Sequence, residues 1–129
     1  MGIRYEKDTI LNWINEMGKF LRLLVDQSSA FEEVEERSLD EDGYQSFFGQ
    51  SRSFFRGLAE RDLKDFIGTI QLEQIRPLAQ LMMYDGLLLN DKTMLEKAKF
   101  LFNYHMQLSG SFSFEDYGFL DKIEKALAS

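Results

Sequence analysis

The apolar residues of this chain recur every three or four positions, and nowhere do polar and apolar residues alternate over the length of a strand. Between Asp8 and Asp26 they fall at Ile10, Leu11, Trp13, Ile14, Met17, Phe20, Leu21 and Leu24. In a helix of about 3.6 residues per turn these positions share one face. β-Branched residues are few, and the single Pro and scattered Gly mark no linker. A chain of 129 residues suits one core. The pattern therefore predicts an all-α fold: a single-domain helical bundle of about five to six helices spanning residues 1–129.

Asp8 or Thr9 can cap the first helix, and Gln27, Ser28 and Ser29 end its pattern. Residues 30–43, "AFEEVEERSLDEDG", hold seven of the 22 acids. Phe31 and Val34 would anchor one short helix there. "SLDEDG" reads as a loop, with 37–43 expected to be a mobile acidic connection. In "YQSFFGQSRSFFRGLAE", Phe47, Phe48, Ser51, Phe54, Phe55 and Leu58 share a helical face, while Gln50, Arg52 and Arg56 turn away. Gly49 weakens that helix and Gly57 ends it. "ERDLKDFIG" follows as a short helix. Thr69 can start the next, running to about Leu89, with Pro77 predicting a late start near Arg76 or a kink. Asn90 and Asp91 supply a turn, a helix runs from about Lys92 to Leu108, and Ser109 and Gly110 stop it. Ser113 begins the last helix, with Phe112 placed to staple onto Tyr117.

Two resemblances follow from the second half. Aligned on Ala98, the segment from Met82 to Gly110 resembles a tetratricopeptide repeat. Gly86 and Ala98 stand at its small positions and Phe102 at its aromatic one. Met82 replaces its Trp, Leu89 its Tyr, His105 its Ala and Gly110 its Pro, and no second copy of the unit appears in the chain. Small residues at Gly86 and Ala98 would let two antiparallel helices approach closely. Taken with "YEKDTILNWINEMGKFLRLLV" and "LAERDLKDFIG", the order of segments resembles a family of short all-helical bacterial proteins with a tetratricopeptide-like C-terminal hairpin. That resemblance implies a bacterial, cytoplasmic setting and carries no activity or catalytic residue to this chain.

The composition narrows function mainly by exclusion. Without Cys there are no disulfides or thiolate metal sites, which fits a reducing compartment. A net charge of −7 disfavours nucleic acid and anionic membranes. "MGIRYEKDTI" lacks the apolar block of a signal peptide, and Glu6 stands where myristoylation expects Ser or Thr. The chain is expected to be cytoplasmic. His105 is the only histidine, so no His cluster or Ser-His-Asp relay can form, and it reads as a packing residue. Setting Gly43 at the sixth position of a calcium loop makes Ser38, Asp40 and Asp42 its first ligands. The twelfth is then Gly49 rather than Glu, and a solvated acidic turn is expected instead. No catalytic residue, metal or cofactor is assigned.

The expected function is a non-enzymatic protein-interaction or scaffold domain. Its groove would lie between the helix Leu72–Leu89 and the helix Lys92–Leu108. Met82, Met83, Tyr84, Leu87, Tyr104 and Tyr117 would be the partner-binding residues, because Met side chains repack around different ligands. Partners would be another protein or a second copy through Trp13 and Phe20, with no nucleic acid and no membrane. The alternative is a small-ligand-binding protein or enzyme with a pocket between the N- and C-terminal halves, near Arg52, Arg56 and Tyr84.

Overall fold

The computed structural model describes residues 7–30, 35–111 and 113–129. Among the described residues there are seven helices and no strand. Helix α1 (Lys7–Ala30) begins before Asp8 and runs past the expected stop at 27–29. It buries Ile10, Trp13, Met17, Leu21 and Leu24 of the expected face, with Ile14 and Phe20 half-buried, while Leu11 turns outward. The short helix expected at Phe31 and Val34, the Phe112 staple and the residues before Lys7 lie outside the described residues.

The acidic stretch is helical rather than a loop. Helix α2 runs without interruption through Glu36–Ser38, a π-helical section at Leu39–Gln45, and Ser46–Phe48. It buries Leu39, Gly43, Tyr44 and Phe48, so one apolar anchor and an aromatic pair outweigh the poor local propensity of "SLDEDG". Gly43 lies where α1 and a later helix converge. A Cβ there would stand 3.1 Å from the Phe20 ring and 3.3 Å from Leu81.

Gly49 ends α2 in the left-handed region at φ 75°, and Ser51 caps a new helix, α3 (Arg52–Gly57), by accepting from the Phe54 N–H. "YQSFFGQSRSFFRG" is thus two helices, not one. The break resets the rotational phase: Arg52 turns inward to 6% exposure, while Phe54 keeps 37%. Helix α4 (Glu60–Ile67) buries Leu63 and Ile67.

Helix α5 (Leu72–Leu89) starts at the capping box of Gln71 and Gln74 and continues through Pro77, earlier than the expected start at Arg76. After a turn at Asn90 (φ 54°), Asp91 caps helix α6 (Lys92–Ser109) by accepting from the Thr93 and Met94 N–H groups. Gly86 is the point of closest approach in this hairpin. A Cβ there would lie 2.5 Å from Leu95 Cγ and 2.9 Å from the Asp91 carbonyl oxygen. Gly110 closes α6, and Ser113 caps helix α7 (Phe114–Ala128), which adds Phe119 and Ile123 to the core. No helix among the described residues is long and apolar enough to cross a membrane.

Candidate functional site

Helix α5 is surrounded. Leu81, Met82, Met83, Tyr84, Asp85 and Gly86 are six successive buried residues, the signature of a helix covered on every side. Met82 and Met83 are 0% exposed and Tyr84 7%, so these expected partner-binding residues pack inside the domain instead of lining a groove. Leu87 is half-buried and borders a hollow of about 310 Å³ beside Asn90, Lys92 and Leu95. There the Lys92 ammonium donates to the Ser129 carbonyl oxygen at 2.6 Å, tying the end of α7 to the start of α6. Tyr117 and Phe114 are exposed, at 54% and 96%, on the first turn of α7. Trp13 and Phe20 pack within the domain. The Trp13 indole N–H donates to the Phe47 carbonyl at 3.1 Å, and both rings pack on Phe47.

The densest polar constellation centres on Arg52. Its Nε and Nη2 donate to the two oxygens of Asp85, each at 2.8 Å, a bidentate pair. Nη2 also reaches Asp91 at 2.8 Å and Nη1 reaches Glu36 at 3.0 Å. The Tyr44 hydroxyl donates to Asp85 at 2.6 Å, and Arg56 donates to Asp91 at 2.8 Å. Burial pushes the Asp85 carboxyl above its ordinary range, against the opposing pull of Arg52 and Tyr44. Burial also raises Asp91, but the bonds from Arg56, Arg52 and the Met94 N–H outweigh it, so that carboxyl sits low. The Gln45 amide and the Arg52 N–H hold Asp40 low as well. This arrangement joins α2, α3, α5 and the cap of α6. Four of the five N–H donors of the Arg52 guanidinium are committed to carboxylates of the chain. Helical spacing turns Arg52 outward only if the helix is continuous, and the phase break at Gly49 reverses its direction.

A second ionic group lies at the opposite end of the hairpin. Arg76 Nε donates to Asp116 at 2.7 Å, its Nη2 pairs with Glu115, and its guanidinium carbon stands 5.7 Å from the Phe119 ring centroid. Asp116 therefore pairs with Arg76 while Ser113 caps its backbone N–H. Here His105 Nδ1 and Gln74 Nε2 are buried without a hydrogen-bond partner. Burial lowers the His105 pKa, Arg76 adds to the effect and Asp116 opposes it.

Among the described residues an open concave surface lies along the outer side of α6. A groove of about 400 Å³ is lined by Glu60, Glu96, Lys99, Phe100, Asn103 and Leu127. Glu60, Glu96 and Phe100 also border an adjoining hollow of about 100 Å³ with Leu63 and Lys97. Helix α4 supplies Glu60 and Leu63, α7 supplies Leu127, and successive turns of α6 supply the rest. Beside the groove Phe100 and Tyr104 stack at 5.9 Å and 14°, and the Lys64 ammonium lies 5.8 and 5.7 Å from their centroids. Of the residues expected to bind a partner, Tyr104 alone stands beside this groove. Glu60, Glu96 and Phe100 were missed because they sit on faces that periodicity assigns to solvent.

Asp40 and Asp42 lie on α2, where Asp40 accepts from Gln45 and from the Arg52 N–H, so the calcium-loop geometry does not form. Among the described residues no group of three or more His, Cys, Asp or Glu side chains is arranged to hold a metal ion. Compared with protein-family models, with curated proteins and with solved structures, the chain matches none.

Proposed function

We propose that the chain is a non-enzymatic interaction domain whose docking surface is the groove between α4, α6 and α7. The observation that carries this reading is an open, partly apolar concavity of about 400 Å³ along the helical hairpin. Its aliphatic and aromatic floor with a charged rim is the composition expected of a protein-binding surface. The tetratricopeptide-like character of the hairpin belongs to the same proposal and is supported by the close approach of Gly86 to Leu95. So does a cytoplasmic setting, supported by the Cys-free sequence. The small-ligand alternative is disfavoured, because Arg52 is closed over by Asp85, Asp91 and Glu36.

Site-specific photo-crosslinking in the native cell tests this reading. A photoreactive residue replacing Asn103, exposed on the groove, is expected to give a discrete adduct that the same group replacing Asp42 on α2 does not. Identical adduct patterns from the two positions would remove the groove as the docking surface.

A further inference from the structure

We draw no further inference here: the strongest candidate, the exposed apolar surface of Leu72, Leu108 and Phe114 at the start of α5, the end of α6 and the first turn of α7, carries nothing, because nothing in the structure shows what covers it.

Discussion

Arg52 and Asp85 have side chains 8% and 0% exposed, and each is the other's bidentate partner in the interior. Removing Arg52 leaves Asp85 buried without its counter-charge, which costs about 3–5 kcal/mol, whereas removing Asp85 leaves Arg52 with Asp91 and Glu36, and removing both leaves the Tyr44 hydroxyl without its acceptor. Arg52→Met is expected to lower unfolding free energy by about that amount, Asp85→Leu by less because Arg52 keeps two carboxylate partners, and the double variant by less than the sum. Urea denaturation of the four proteins measures the coupling, and additive losses would mean that the pair is not the stabilising unit. Gly86 makes a different argument. Its missing Cβ would overlap Leu95 at 2.5 Å and approach the Asp91 carbonyl at 2.9 Å, and the backbone oxygen cannot rotate away. Gly86→Ala should cost about 1–3 kcal/mol through overpacking, despite the better helix propensity of Ala. An unchanged denaturation midpoint would contradict the close approach.

Among the elements, Gly49 has the largest consequence for its size. Its left-handed φ of 75° ends α2 and lets Ser51 start α3 in a new phase, which carries Arg52 into the interior and leaves Phe54 partly outside. Gly49→Ala places a Cβ in that conformation and should cost about 1–2 kcal/mol. Thermal unfolding checks this, and a stability gain would indicate that the backbone prefers to continue as one helix. The same break explains what was legible. The long helices α1, α5, α6 and α7 could be read from spacing and caps because each carries several turns of one pattern. Asn90 with Asp91, and Ser113, announced their turns by side-chain chemistry. Helix α2 could not be read, since its π-helical section disrupts the spacing and its acids favour a loop locally. Burial of Leu39 and Tyr44, at 0% exposure, decides it through contacts distant in sequence. The continuous buried run Leu81–Gly86 was equally opaque. An amphipathic groove wall and a helix covered on all sides share such a run, and only the neighbours distinguish them.

For the whole molecule, acids outnumber bases by 22 to 15, and His105 is the sole histidine. Burial lowers its pKa from 6.5, so the fold favours the neutral imidazole, and Nδ1 lies buried without a partner. Below 6.5 and down to the lowered folded value, the unfolded chain therefore binds more protons than the folded one. The stability that this histidine contributes is complete above 6.5 and is lost as pH falls through that window. Asp85 acts in the opposite sense: its raised pKa makes stability fall as pH rises from 3.8 toward its folded value. Both proteins in a comparison of the natural chain with His105→Gln contain Asp85, so its effect cancels. The natural chain is expected to lose stability relative to the variant as pH is lowered through the window. Urea midpoints measured on either side of 6.5 decide the matter. A difference between the two proteins that stays constant with pH would mean that the imidazole is as readily protonated in the folded domain as in the open chain.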